Sequence, residues 1–471
     1  MNRLLSALPV LACLAPGLAR ADADLLVARA LGDELVQVPV ALAATPHGLV
    51  VAGAGAQRWT TSGEPASDLR ITADIDDVAA LGDGLVFVGP SGLVAVDAVG
   101  AVTWQVAVDQ LGPRDDDTRW RIAADPRTVA VLADATVHTF TADGRARARW
   151  TSDAVLTAIA TADDLVAVTG QREISCDDEP RDVPVLVATS ADGTPRWSAY
   201  DHRTTTLCAA GPTVAASARG VDVAFGGDGL LYLLAETDGA ESPLRADPYH
   251  LTVRADLEIF DGLSDPDEAQ RGKIAYYARF DRAGEHLVGQ FLGLPATDSE
   301  PSRLTPRAIS ATSAGVVIVA GSTSRSFDRA GERHETEALG QDVAFIQIVD
   351  PDLGARRRWE VLEDHEGEHT VVDLALTEQG VVALVIGATA DADAMVDLPL
   401  ADTPEDPTFK KVTKHPDNDT QATFGFESGV SGSDPTCYCA EVTLPGPAAL
   451  FALGLLPLAC LPRPRRRCSN L

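Results

Sequence analysis

Five consecutive residues carry the sharpest chemical pattern in the sequence. His365-Glu366-Gly367-Glu368-His369 matches H-E-x-x-H, in which two imidazoles one helical turn apart grip Zn²⁺ and the glutamate acts as general base. That chemistry needs a helix. Gly367 inside the pentad and Thr370, Val371 and Val372 after it disfavour one, so the segment reads first as a solvated acidic turn. A loop metal site built from His365, Glu366 and His369, beside Glu363 and Asp364, is the chemical alternative. Acidic runs at Asp115-Asp116-Asp117, Asp177-Asp178-Glu179 and Asp265-Pro266-Asp267-Glu268 offer the oxygen donors that a hard cation takes. None has EF-hand spacing. Ca²⁺ or Zn²⁺ is therefore the only cofactor the sequence suggests. No G-x-S-x-G, Walker A or strand-to-helix G-x-G-x-x-G appears.

Two further residues have a chemistry of their own. Of seven cysteines, Cys13 lies near the N-terminus, and Cys437, Cys439, Cys460 and Cys468 belong to the C-terminal tail. This leaves Cys176 and Cys208 in the body, and in an oxidising compartment they are expected to form one disulfide.

The elements that must hold these residues are short β-hairpins. Residues 307–320 form two apolar runs around Thr312-Ser313-Ala314-Gly315, and residues 342–360 form two more around Asp350-Pro351-Asp352-Leu353-Gly354. Short β-rich runs between turn residues are the hairpin signal. An isolated four-stranded unit buries too little surface to stand alone, so it implies an array. The inner hairpin recurs at 41–53, 77–89, 121–133, 155–170, 221–235, 307–321 and 371–387. The outer hairpin recurs at 57–71, 92–106, 136–150, 183–200, 273–291 and 341–361, and an orphan copy occupies 24–38. An orphan outer half at one end and an orphan inner half at the other is what ring closure requires. The fold expected is all-β: a seven-bladed β-propeller over 22–390, closed by an N-terminal outer hairpin. An open solenoid with two half-repeat caps is the alternative.

Propeller connections of the b-to-c and d-to-a kind share one face. The long ones here, 107–119, 171–182, 201–220, 236–272, 294–306 and 322–340, are all of that kind, which gathers them, with Cys176 and Cys208, on one rim. Connections longer than about 12 residues usually have a use.

The ends carry addresses. Met1-Asn2-Arg3, an apolar stretch and Ala19-Arg20-Ala21 read as a signal peptide over 1–21, with Val10-Leu11-Ala12-Cys13 as a competing lipobox. Residues 391–436 read as a flexible acidic and polar linker. Residues 437–471 contain Cys437-Tyr438-Cys439, an apolar stretch interrupted by proline, and Arg463, Arg465, Arg466 and Arg467. This tail resembles the tripartite C-terminal sorting signals of Gram-negative bacteria, of the PEP-CTERM and MYXO-CTERM types. The resemblance implies a processing protease and surface display, and the bland alternative is a simple membrane anchor. Gly446 stands where PEP-CTERM tails usually have Glu.

The repeats, best seen in Asp342-Val343-Ala344-Phe345, Trp359, Val372-Asp373-Leu374-Ala375 and Gly380-Val381-Val382, resemble secreted bacterial propellers of the SBBP type and, more loosely, the quinoprotein type. The adjacent-cysteine disulfide typical of quinoprotein dehydrogenases is lacking. A net charge of -31 repels phosphate backbones and anionic headgroups, which argues against nucleic acid as a partner. The membrane is expected to be met through the C-terminal segment before processing. The reading that follows is an exported, surface-displayed, non-catalytic propeller of a Gram-negative bacterium that binds a protein, glycan or small ligand through its long-loop face. A metal-dependent or hydrolytic enzyme on that face, and a structural spacer of the envelope, are the alternatives.

Overall fold

The computed structural model describes residues 26–30, 40–60, 65–114, 119–176, 179–210, 216–239, 242–251, 253, 258–261, 273–292, 303–324, 326–329, 332–335, 343–350, 355–361, 369–377, 381–388, 394–399 and 411–414. Among them helix is confined to Val108–Leu111, Thr204–Ala210 and a 3-10 turn at Pro243–Arg245, so the chain is all-β.

The strands assemble as a β-propeller. Blade 1 comprises Ala41–Thr45, Gly48–Ala52, Ala56–Trp59 and Pro65–Ile71, and blade 2 comprises Asp77–Leu81, Gly84–Gly89, Gly92–Val96 and Val102–Ala107. Blade 3 comprises Arg121–Ala124, Thr128–Ala133, Thr136–Thr141 and Ala146–Thr151, and blade 4 comprises Val155–Ala162, Leu165–Cys176, Glu179–Ser190 and Pro195–Ala199. Blade 5 comprises Arg303–Ala311, Val317–Ser324, Val343–Asp350 and Ala355–Val361. Blade 6 uses His369–Leu376, Val381–Ala388 and Ala394–Pro399, with Leu26–Ala30 from the N-terminal region as its outermost strand. Between blades 4 and 5 lies a six-stranded sheet. Its Ala218–Phe225, Leu231–Thr237, Ile274–Phe280 and His286–Leu292 are extended outward by Glu258–Asp261 and Lys411–Lys414.

Innermost strands touch in closed succession: Ala41–Thr45, Asp77–Leu81, Arg121–Ala124, Val155–Ala162, Ala218–Phe225, Arg303–Ala311, His369–Leu376 and back to Ala41–Thr45. The second strand of a blade is covered on both faces by its neighbours, so its stretch within the ring is mostly apolar. Gly48–Ala52, Gly84–Gly89 and Thr128–Ala133 are buried along their whole length. Core clusters accordingly lie between blades: Val50, Leu69, Leu85 and Phe87 meet between blades 1 and 2, and Val86, Trp120, Val129 and Val131 between blades 2 and 3.

Two expectations are corrected. There are six four-stranded blades, not seven. The sheet grown from hairpins 221–235 and 273–291 instead takes up Glu258–Asp261, parallel to His286–Leu292, and then Lys411–Lys414, antiparallel to that. These additions pair backbone groups that a bare outer edge would leave open. Both added strands are four residues long and sit in acidic or polar sequence, which hides them. Of the hairpin expected to close the ring over 24–38, the described part is the strand Leu26–Ala30; residues 31–38 lie outside the described residues. Leu26–Ala30 pairs with Ala394–Pro399 (Leu26 opposite Asp397, Ala30 opposite Ala394). Blade 6 draws three strands from the C-terminal side because Ala394–Pro399, read as linker, pairs with Val381–Ala388. Thus two strands fall within 391–436.

The signal peptide at 1–21 and the tail at 437–471, with Cys13, Cys437, Cys439, Arg465, Arg466 and Arg467, lie outside the described residues. Among the described residues no helix is long and apolar enough to cross a membrane.

Candidate functional site

The two faces of the ring differ. On one face, the a-to-b and c-to-d connections between described strands that follow one another within a blade are five residues or fewer. The opposite rim carries 200–217, 238–273 and 325–342. The expected loop at 171–182 turns out to be ordered ladder: Leu165–Cys176 and Glu179–Ser190 stay paired to the tip, where Cys176 faces Glu179. Such a hairpin projecting past the ring needs bracing. Cys176 and Cys208 are disulfide-bonded, their Cα atoms 5.4 Å apart, as expected from their being the only body cysteines. The bridge ties the hairpin to helix Thr204–Ala210. Around it Ile174, Val183, Leu207, Ala246 and Leu251 form a small apolar core separate from those between blades. Arg172 adds polar ties to Asp201 at 2.6 Å and Asp153 at 2.8 Å.

A polar cleft of about 150 Å³ opens on the same rim, lined by Asp182, Ser217, Ala218, Arg219, Glu236, Asp238 and Lys273. Strand register builds it. Arg219 is the cross-strand neighbour of Glu236, and Glu236 lies opposite the small Ala275 on its other side. The Glu236 side chain is only 5% exposed; its carboxylate accepts from Arg219 at 2.7 Å and Lys273 at 3.2 Å, both through Oε1. Its Oε2 is buried with no hydrogen-bond partner among the described residues. Ser217 joins the two sides: its Oγ accepts the Asp182 N–H and its carbonyl accepts the Asp238 N–H.

The axis of the ring carries a second constellation. Asp77, Asp222 and Asp373 stand on innermost strands, each partly buried. Each carboxylate accepts a backbone N–H from the following innermost strand: Ile122 at 2.9 Å, Ile309 at 2.9 Å and Leu42 at 2.8 Å. The other oxygen accepts the N–H of the next residue in sequence. Burial pushes Asp77 above the usual carboxylate range, with Arg121 pulling against it. Burial also raises Asp222, to about 6. Asp373 is pushed up to about 8, by burial first and then by repulsion from Asp77. These three therefore bind neighbouring strands together, and burial favours the protonated form of each.

Of the residues expected to bind metal, Asp115, Asp116, Asp117, His365 and Glu366 lie outside the described residues. His369 opens a strand, paired with Ala388, so it does not stand on the helix that the H-E-x-x-H mechanism needs. Among the described residues no group of three or more His, Cys, Asp or Glu is placed to hold a metal. Two sets of polar residues went unread in the sequence. The axial aspartates did leave a signal there, since Asp77-Val78-Ala79, Asp222-Val223-Ala224 and Asp373-Leu374-Ala375 repeat one pattern. Glu236 left none beyond being charged within an apolar strand.

No protein-family model matches this sequence, and no curated protein matches it. Solved structures with similar architecture include BamB from Moraxella catarrhalis, 13% identical over 77% of this chain and 86% of that one, with a TM-score of 0.36. The WD40 domain of Neurospora crassa Pan2 is 10% identical over 78% and 90%, with a TM-score of 0.41. KlHsv2 with its loop 6CD replaced by a Gly-Ser linker is 9% identical over 74% and 89%, also at 0.41. The likeness goes no further than propeller architecture.

Proposed function

We propose that this chain is an exported, non-catalytic binding propeller that holds a protein, glycan or small ligand on its long-loop rim. The observation that carries the reading is the one-sided investment of structure. One face is trimmed to tight turns, while the other bears a projecting hairpin, a disulfide, its own apolar core and a polar cleft. Function on propellers and other scaffolds concentrates in loops that a rigid frame positions. Export is supported by the basic and apolar start of the sequence and its A-x-A site, by the arginine-rich tail, and by a body disulfide of the kind that persists in oxidising compartments. In this reading the tail, with Cys437, Cys439, Arg465, Arg466 and Arg467, is removed by a processing protease after display.

The test is binding to immobilised peptide and glycan arrays, with the wild-type chain and a variant in which residues 242–271 are replaced by a short Gly-Ser linker. The expected result is binding by the wild type that the replacement abolishes, with an unchanged β-sheet circular-dichroism spectrum. Binding that survives the replacement, or none by the wild type, would overturn the rim assignment.

A further inference from the structure

We infer that the cleft around Glu236 binds a primary α-ammonium group with a carbonyl or carboxylate oxygen beside it, as a free amino acid or the N-terminus of a peptide presents. This rests on the rim reading and names the chemistry of one subsite within it.

Four features of the cleft point the same way. The first is the unused acceptor. Glu236 is 4% exposed, and Oε1 already takes both cations while Oε2 is buried and bare. A buried polar atom without a partner is costly, and Glu236 is one of the residues that line the cleft. A ligand that donates to this carboxylate is therefore favoured.

The second is charge. Asp182, Glu236 and Asp238 set three carboxylates against the two cations Arg219 and Lys273, so an incoming donor with a positive charge is favoured over a neutral one. Asp238 is exposed at the mouth and adds to this attraction. A bare metal ion is a poorer fit, because the same wall presents a guanidinium and an ammonium.

The third is the acceptor side of the ligand. Arg219 and Lys273 are 40% and 34% exposed, and a guanidinium has five N–H groups and an ammonium three. Each keeps donors after serving Oε1, and these suit an oxygen adjacent to the ligand's amine. Lys273 is also the first lysine in the sequence; no other precedes Lys410, the remaining bases of the body being arginine and histidine.

The fourth is size and texture. At about 150 Å³ the cleft is well below the ~300–1,000 Å³ of ordinary small-molecule pockets, so it admits one residue or a chain terminus and not a cofactor. Among the described residues its single apolar lining residue is Ala218, which offers the C–H face of a sugar little to rest on.

The test is calorimetric titration of the full chain with L-alanine, L-alaninamide, N-acetyl-L-alanine and D-glucose. L-alanine, L-alaninamide or both bind one to one; N-acetyl-L-alanine and glucose do not. Preference for L-alanine over the amide identifies a free amino acid, and equal or better binding of the amide identifies a peptide N-terminus. Glu236→Gln weakens the interaction at least tenfold. Asp238→Asn, at an exposed position where folding is not at stake, weakens it several-fold. Equal binding of N-acetyl-L-alanine or glucose, wild-type affinity in both variants, or no binding of either amine overturns the inference. Array binding that persists in Glu236→Gln would leave the rim reading standing while this one falls.

Discussion

Asp373 and Leu42, 331 positions apart, are joined by a 2.8 Å hydrogen bond from the Leu42 N–H to the Asp373 carboxylate. The bond spans the seam where blade 6 meets blade 1. The β-ladder of Leu26–Ala30 with Ala394–Pro399 closes blade 6 at its outer edge; Asp373 closes the ring at its axis. Asp77 and Asp222 make the same link to Ile122 and Ile309, so the seam repeats a joint used elsewhere in the ring.

Acid is predicted to strengthen this joint. An aspartate that titrates higher in the fold than in the unfolded chain holds its proton more tightly when folded. Its stabilising contribution is complete below the unfolded value, near 4, and is lost as pH rises through the folded one. For Asp222 and Asp373 the loss begins near pH 4 and is complete near pH 6 and pH 8 respectively. Thermal melts across pH 5 to 9 are expected to show stability declining towards pH 9. Asp373→Asn, neutral at every pH and still able to accept from Leu42, should flatten the upper part of that decline and raise the melting temperature at pH 9 by a few degrees. An unchanged slope in this variant would refute the assignment.

Removing the acceptor is a different experiment from removing the charge. Asp373→Ala leaves the Leu42 N–H without its partner, and an unsatisfied buried donor costs about 1–3 kcal/mol. Urea unfolding at pH 7 should place Asp373→Ala below wild type by that amount and Asp373→Asn, which keeps the Leu42 bond but gives up the Leu374 N–H, above the alanine variant. Equal destabilisation by both would mean that the carboxylate's charge, not its hydrogen bond, matters.

The hairpins were legible because periodicity and turn residues are local. Residues 121–133 fold as Arg121–Ala124 paired with Thr128–Ala133. The disulfide was legible by elimination. Ala394–Pro399 was not, because Asp391, Asp393, Asp397 and Pro399 mask the alternation of Ala394, Val396 and Leu398. The axial aspartates repeat a visible pattern, yet their acceptor role depends on amides 45, 87 and 331 residues away. Glu236 was illegible for the same reason. Its partner Lys273 arrives from across a long connection, and nothing local marks the oxygen that stays bare.

A second recurring contact joins consecutive blades near their outer edges. Trp104 of blade 2 donates its indole N–H to the Ala142 carbonyl at 2.9 Å, in the turn of blade 3 that contains Gly144. Gly144 has φ of +82°, and a Cβ there would stand 2.6 Å from the indole; Gly193 has φ of +83°, but its nearest ring contact would be 3.6 Å, to Trp150. Alanine meets the same backbone strain at both sites; at Gly193 its Cβ is tight only against Ala148 at 3.2 Å, whereas at Gly144 it overlaps the indole. Gly144→Ala should therefore cost about 1–3 kcal/mol more than Gly193→Ala, with a red shift in tryptophan emission as Trp104 is displaced. Equal losses in urea unfolding would show that backbone strain alone governs these turns.

The disulfide should matter for the rim and little for the ring. Cys176 and Cys208 close a loop with a sequence separation of 32, for which the chain-entropy account gives about 3–4 kcal/mol. The stabilised elements are the projecting hairpin, helix Thr204–Ala210 and the small core of Ile174, Val183, Leu207 and Leu251, which share few side chains with the clusters between blades. Opening them costs the ring little apolar burial, so the bridge acts on local opening more than on global unfolding. The double variant Cys176→Ser/Cys208→Ser should keep the wild-type β spectrum, yet be cut by a protease between residues 200 and 217 more than tenfold faster. If it instead loses the β spectrum or is cleaved first within blades 1 to 3, the rim is an integral part of the ring, and the division of the molecule into rigid frame and braced binding face is wrong.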